Sequence, residues 1–266
     1  MAKQRTDLSI PWPFAPSGAE VALNRDTNRL KVVAMLTMLC DHAGKMLFPQ
    51  YRLMRIIGRI AFPIYAYCIA AGCVYTRNPL NYLRRVVLLA LISQPLYAVA
   101  MAHETGAMYA VSLAEQPVRA VINFYVQSWS HPNILVSLAF GVMMLWALRE
   151  RQLVLFAGVL LLTWFIKGKL DYGYRGMMLM LLFYIFISKR WLSLPVLAAF
   201  MIWWGMQGSG YNYFGLSFGI QTFAILALPF IYIRTNSKLR LPKWLFYGFY
   251  PAHLVLILIL NRFVMK

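Results

Sequence analysis

The sequence predicts an all-α fold, a polytopic membrane helix bundle of about nine transmembrane helices, within a range of about 8 to 10. Three observations predict it. Of 266 residues, 61% are hydrophobic and only 13% are charged, too few polar side chains to coat a soluble globule of that length. The apolar residues fall into successive runs of near-spanning length. The bases gather in the short stretches between those runs, the pattern that orients membrane helices.

Residues 1–28 are polar, with Pro11, Pro13 and Pro16 and no apolar core of the signal-peptide type. They are expected to form a cytoplasmic N-terminal segment, and residues 29–266 a single multi-pass domain. The predicted helices are 30–48, 60–74, 86–102, 133–148, 153–166, 177–187, 192–206, 216–233 and 245–263. The longest connection is 103–130, whose portion 118–129 alternates loosely and is expected to form an interfacial or re-entrant helix. No internal repeat stands out, which counts against an inverted-repeat transporter.

Lys and Arg number 26 against 8 Asp and Glu, giving a formal charge of +18. Such an excess can signal nucleic acid, but no basic domain or single-strand platform accompanies it, and no nucleic-acid partner is expected. The expected partner is the lipid bilayer, in the cytoplasmic (inner) membrane of a bacterium. With the N-terminus in the cytoplasm, most bases fall inside, among them Arg77, Arg84, Arg85, Arg149, Arg151, Lys189, Arg190 and Arg234. The exceptions cluster in two places, Lys45 to Arg59 and Lys167 to Arg175. Either the count is off by one helix, or these cations pair with acids and substrate inside a cavity.

Chemistry points first to Asp41 and His42, adjacent within the first apolar run. A charged group in a spanning helix costs about 3 kcal/mol on insertion scales, so such a pair marks a functional site. Neighbouring helix positions do not face each other, so the expected partner of Asp41 is Lys45 or Arg59, leaving His42 to face a reacting centre. At a rise of ~1.5 Å per residue His42 lies about 20 Å along its helix and His253 roughly 13 Å along the last one, so the two histidines can meet near mid-membrane. Pro251 interrupts that last helix and frees a carbonyl near Tyr247. Asp171 sits among Lys167, Lys169 and Arg175, where a counter-ion role is the plainer reading. Arg59 suits an anion clamp or an interface anchor. His103 reads as solvated or capping, and His131 with Asn133 as a helix start that could also recognise an acceptor. Cys40, Cys68 and Cys73 read as small buried hydrophobes. No zinc signature, Walker loop or nucleophile elbow is present, and no metal is expected.

Several of these residues form a pattern. Leu30 to Met38 with Asp41 and His42, Ile57 to Pro63, then Gly72, Thr76, Arg77 and Asn78, together resemble the TraX family, named for the F-pilin acetylase. Ser93-Gln94-Pro95, Asn133, Gly141, Asp171-Tyr172-Gly173 with Gly176, Phe183-Tyr184, and Tyr250-Pro251 with His253 extend the resemblance to about residue 260. His42 and Phe62-Pro63 are also distantly similar to the layout of heparan glucosaminide acetyltransferase-type enzymes, with different spacing.

The resemblance implies a membrane-embedded acyltransferase that moves an acyl group, expected to be acetyl from acetyl-CoA, to an amine or hydroxyl. The acceptor would be extracytoplasmic or membrane-associated, a pilin-like protein or an envelope glycan. On that expectation His42 is the catalytic base or a transient acyl carrier, Asp41 sets local charge, and Arg59, Asp171, His253 and Asn133 shape the acceptor side. Arg84, Arg85, Arg149 and Arg151 are candidates for the phosphates of acyl-CoA. The rival class is a proton-coupled transporter or flippase, in which Asp41 and His42 would relay protons. A noncatalytic assembly factor is the third.

Overall fold

The computed structural model describes residues 21–213 and 215–264, and these are overwhelmingly helical. The elements in chain order are α1 (Thr27–Met46), α2 (Arg52–Gly58), α3 (Ala61–Tyr75), α4 (Pro79–Ala100), α5 (Pro117–Gln127), α6 (Ile134–Arg149), α7 (Leu153–Phe165), α8 (Gly173–Phe186), α9 (Arg190–Met206), β1 (Tyr211–Tyr213), β2 (Leu216–Phe218), α10 (Leu228–Tyr232) and α11 (Lys243–Val264). A 3-10 stretch, Ile220–Ala227, leads into α10.

Local chemistry sets several boundaries. Asp26 caps α1 by accepting from the Arg29 amide at 3.2 Å. Asn78 does the same for Asn81 at 2.9 Å, with Pro79 in the first turn of α4, where a missing N–H costs nothing. The Asn133 side chain accepts from Leu135 N at 3.0 Å and starts α6.

Helix α3 is the hub, packing on α1, α6 and α8. Eleven of its residues are buried, among them Ala61, Ala66, Ala70 and Ala71, whose small side chains let neighbouring backbones approach. In lipid the tails are as apolar as leucine, so close packing of this kind, rather than expulsion of water, holds helices together. Gly141 serves the same purpose between α6 and α8, since a β-carbon there would run into the Met180 side chain. The outer faces are the reverse: Val154 is 88% exposed and Trp191 84%. Apolar surface of this extent suits a lipid environment.

Among the described residues three helical segments are long and apolar enough to cross a bilayer, Arg52–Tyr75, Pro79–Ala100 and Trp244–Phe263. A fourth forms if Pro117–Ser130 and Ile134–Arg149, bent by 66°, count as one broken span. The expected count of about nine is not reached by this measure, because α7, α8 and the Ile220–Tyr232 segment are shorter. Helix α1 carries Arg29, Lys31, Asp41 and Lys45 within its twenty residues, which lowers its hydropathy.

Eight of the nine predicted helices have a helical counterpart. The exception is 216–233. Its first residues pair with Tyr211–Tyr213 as a hairpin, in the register Tyr211 to Phe218, with Gly215 at φ 78° in the turn. The rest is the 3-10 stretch and α10, separated where Pro229 enters with no amide to donate. The connection 103–130 does contain a helix, α5, with Val118, Val121, Ile122 and Val126 exposed along one side.

Most of the polar N-terminal segment, 1–20, lies outside the described residues. Residues 21–26 are docked rather than free: Val21 and Leu23 are fully buried, Ala22 N donates to Ile187 O at 2.9 Å, and Asn24 N donates to Ile231 O at 2.9 Å. These bonds bring the start of α1 to the ends of α8 and α10. Arg149 ties the end of α6 to the end of α3 through Cys73 O and Thr76 O, at 2.9 and 2.7 Å.

Candidate active site

A cavity of about 710 Å³ opens where the C-terminal half of α1, the α2–α3 junction, the α7–α8 turn and the middle of α11 meet. Its charged lining comprises Asp41, Lys45, Arg55, Arg59, Lys167, Asp171 and Arg175. The bases that break the orientation pattern thus largely line one cavity.

Asp41 is 8% exposed and engaged by two arginines. Arg55 Nη1 lies 2.8 Å from Oδ2, and Arg59 Nη2 donates to Oδ1. The two bases stand four residues apart at the end of α2, so one helical turn presents both to the same carboxylate. Gly58 makes the approach possible, for a β-carbon there would lie 2.6 Å from Asp41 Cγ. Arg59 also donates to Tyr172 Oη at 3.3 Å. Lys45, expected as a partner of Asp41, contributes to the cavity lining, while Arg55 takes the place beside the carboxylate. Asp41 is therefore built as an anchor for α2, with its oxygens already spoken for.

His42 lines the cavity, and its Nδ1 lies 2.8 Å from His253 Nε2. His253 is 2% exposed, and its own Nδ1 lies 2.9 Å from Phe249 O. This chain fixes the protons. A carbonyl only accepts, so His253 Nδ1 carries hydrogen; with His253 neutral its Nε2 accepts, and His42 Nδ1 must donate. Neutral His42 is left with a bare lone pair on Nε2. A backbone carbonyl at one end thus specifies a basic nitrogen at the other.

The Asp171 carboxylate accepts from Tyr97 Oη at 2.7 Å, and its carbonyl accepts from Ser137 Oγ at 2.8 Å. Burial raises its pKa above the ordinary carboxylate value, against the opposing pull of the Tyr97 bond and the Lys45 and Arg59 charges. Tyr172 follows in the left-handed region at φ 61°, a conformation strained for a bulky residue, and its ring stacks on Phe62 with centroids 4.0 Å apart. Trp204 meets both rings edge-on, completing an aromatic wall.

Of the residues singled out by sequence, Asp41, His42, Arg59 and Asp171 line this cavity, and His253 stands directly behind His42. Asn133 does not. It is fully buried as the cap of α6, donating to Ala90 O at 2.9 Å and to Gln94 Oε1 at 2.8 Å, bonds that hold α6 to α4. Arg84, Arg85, Arg149 and Arg151 are all absent from the lining. Arg84 and Arg85 are exposed on α4, with Arg85 donating to Tyr247 Oη at 3.1 Å; Arg149 is committed to the carbonyls of Cys73 and Thr76; Arg151 holds a left-handed turn at φ 58°. Arg55, Tyr97 and Gln221 are cavity residues that sequence reasoning did not select. The Arg55 to Arg59 spacing was the available signal for the first. Among the described residues no three His, Cys, Asp or Glu side chains gather as a metal centre would need.

The profile of the family described as TraX protein matches residues 26–261, which includes every cavity residue named above. A probable fimbrial assembly protein FimC, serogroup H1, of Dichelobacter nodosus is 26% identical over 121 residues, 44% of each chain. An uncharacterized protein of Rickettsia prowazekii (strain Madrid E) is 28% identical over 163 residues, 59% of this chain and 54% of its own. The chain thus spans about half the length of the curated relatives it matches. No solved structure matches.

Proposed function

The chain belongs to the TraX family, and from that premise we propose that it is a membrane-embedded acyltransferase that uses acyl-CoA, with acetyl-CoA as the donor, on an amine or hydroxyl acceptor. The observation that carries this reading is the Phe249 carbonyl, His253, His42 chain, which leaves a basic nitrogen on His42, a residue of the cavity wall. A general base so placed contributes about 10² to 10⁴ in rate.

In the proposed reaction the acceptor nitrogen or oxygen attacks the thioester carbonyl and its proton passes to His42 Nε2. The C–S bond breaks, the acyl group stays on the acceptor, and His42 returns the proton to the departing thiolate as CoA–SH. Positive charge gained on His42 spreads to His253 through their shared bond. Attack by Nε2 itself, giving a transient acyl-histidine, uses the same lone pair. Asp41 keeps Arg55 and Arg59 in place without touching the reacting atoms.

A pilin-like acceptor gains support from the relative named as a fimbrial assembly protein, the apolar helices support a place in a membrane, and the excess of bases in the loops assigned to the inner side supports an inner-membrane orientation with the N-terminus in the cytoplasm. The test is turnover in nanodiscs: CoA release together with an acylated product by mass spectrometry. Flux of a labelled solute without CoA release would instead identify the rival transporter or flippase. A His42→Ala protein that folds and keeps full turnover would remove His42 from the chemistry.

A further inference from the structure

Seven buried side-chain polar atoms among the described residues lack a hydrogen-bond partner within the protein. Four of them belong to residues of the one cavity: Arg59 Nε, Arg175 Nε, Gln221 Nε2 and Tyr250 Oη. They come from four separate elements, the α2–α3 junction, the first turn of α8, the 3-10 stretch and the middle of α11. Three can only donate, and the fourth is a hydroxyl that can. Arg59 is 8% exposed and Tyr250 4%, so both donors sit on the inner wall of the cavity with little contact with bulk solvent. An unmet buried donor costs about 1 to 3 kcal/mol and is rare enough to need a reason.

Charge says what would meet them. The lining carries Lys45, Arg55, Arg59, Lys167 and Arg175 against Asp41 and Asp171. Asp41 is taken up by Arg55 and Arg59, and Asp171 accepts from Tyr97. A cationic or purely apolar ligand would leave the donors unmet and add to the positive charge or bury it. An oxyanion satisfies both, since phosphate and carboxylate oxygens are acceptors and a guanidinium fork matches them.

We propose that this cavity contains an oxyanion subsite, formed by Arg175 and Arg59 with Gln221 and Tyr250, that binds a phosphate or carboxylate of the substrate beside His42. It deepens the acyl-transfer reading above and rests on that reading for what the substrate undergoes. It also moves anion recognition from Arg84, Arg85, Arg149 and Arg151 to the cavity itself. Two sources share this chemistry, a phosphate of the acyl-CoA donor and an acidic group of the acceptor.

Binding is read directly, by calorimetry on the full chain in nanodiscs with no transfer reaction running. The probes are CoA, pantetheine, which lacks the phosphates, and glucuronate, a small carboxylate. Arg175→Gln is the main variant because Arg175 has no part in the Asp41 ion pairs; Gln221→Leu is the second, and Arg84→Gln the control. The expected result is that CoA or glucuronate binds the wild type, weakens about ten- to a hundredfold in Arg175→Gln, the range for a charge-assisted bond, and changes less than about twofold in Arg84→Gln. CoA binding without pantetheine binding assigns the anion to the donor; glucuronate binding that CoA does not displace assigns it to the acceptor. Both support the subsite. Undiminished binding in Arg175→Gln and Gln221→Leu, loss in Arg84→Gln alone, or no binding of any probe to the wild type overturns it. Anion binding that passes these tests in a protein with no acyl transfer would discard the enzymatic reading and leave the subsite standing.

Discussion

The molecule holds two pairs of histidines, and they differ in how the rings meet. In the first, His42 and His253 join nitrogen to nitrogen at 2.8 Å, and His253 is tied to Phe249 O. In the second, His103 and His131 lie face on face, centroids 4.6 Å apart and planes within 10°, with Tyr97 beside them at 5.6 Å. The first pair sits on two helices and is backed by a buried residue. The second belongs to the connection between α4 and α6, and there His131 Nδ1 makes a long contact with Ser130 Oγ at 3.4 Å. A chain of hydrogen bonds has a direction and determines which nitrogen is basic; a stack of rings determines only where the rings are. Proximity of two imidazoles is therefore not itself a sign of chemistry.

The sharpest way to break this comparison is to remove one member of each pair. His42→Ala is expected to lower acyl-CoA turnover by about 10² to 10⁴, the worth of a general base, whereas His103→Ala should leave it within roughly threefold. Equal losses would mean that the stacked pair also takes part.

Stability provides the next largest effect, and it concerns Asp41, beside His42 in sequence but turned to other work. Asp41→Asn leaves Arg59 and, in part, Arg55 without a counter-charge in a buried setting, which should cost about 3 kcal/mol, read as a fall in the thermal midpoint of the purified protein. Turnover per folded molecule should change far less than in His42→Ala. A variant as stable as the wild type would show that the two ion pairs do not hold α2 against α1.

His253 is a positioning residue, and a graded pair of substitutions separates that role from packing. His253→Leu removes the acceptor that sets the His42 tautomer and should cost about ten- to a hundredfold in kcat, the scale for groups that orient metal-bound histidines. His253→Gln offers an amide oxygen to the same His42 N–H and should recover part of that loss, with a displaced pH profile because the charge can no longer spread to a second ring. Identical behaviour of the two variants would reduce His253 to a space-filling side chain.

Parts of this were legible in the sequence, and the reason differs from part to part. Runs such as 153–166 became helices because length and hydropathy are one-dimensional properties. The segment 216–233 is also predominantly apolar, yet Gly215 just before it and Pro229 within it divide it into a hairpin strand and a short helix, so composition alone misled. Asp41 and His42 stood out because ionisable groups in an apolar run are expensive. Their partners did not all stand out: Arg55 reaches Asp41 only because α2 folds back on α1, and His253 is 211 residues from His42. The phosphate-binding roles assigned to Arg84, Arg85, Arg149 and Arg151 came from their position between apolar runs, a pattern that cannot distinguish a free guanidinium from one spent, like that of Arg149, on the last carbonyls of α3.

The smallest effect lies in acid titration, where Asp171 and His103 pull in opposite directions. The raised pKa of Asp171 means the folded state holds its proton more tightly than the unfolded one, a contribution fully present below about 3.8 and lost as pH rises through the folded pKa. His103 is the reverse: burial, with the Lys45 and His131 charges, lowers its pKa from 6.5 to about 4, so the folded state resists protonation and loses stability as pH falls from 6.5 toward 4. Asp171→Asn should therefore steepen the loss of stability on acidification, and His103→Phe should flatten it. Thermal midpoints between pH 4 and 7 read both slopes. If His103→Phe left the profile unchanged, the ring would have to be solvated in the folded protein, and the stacked pair would then differ from the His42 pair in burial as well as in bonding.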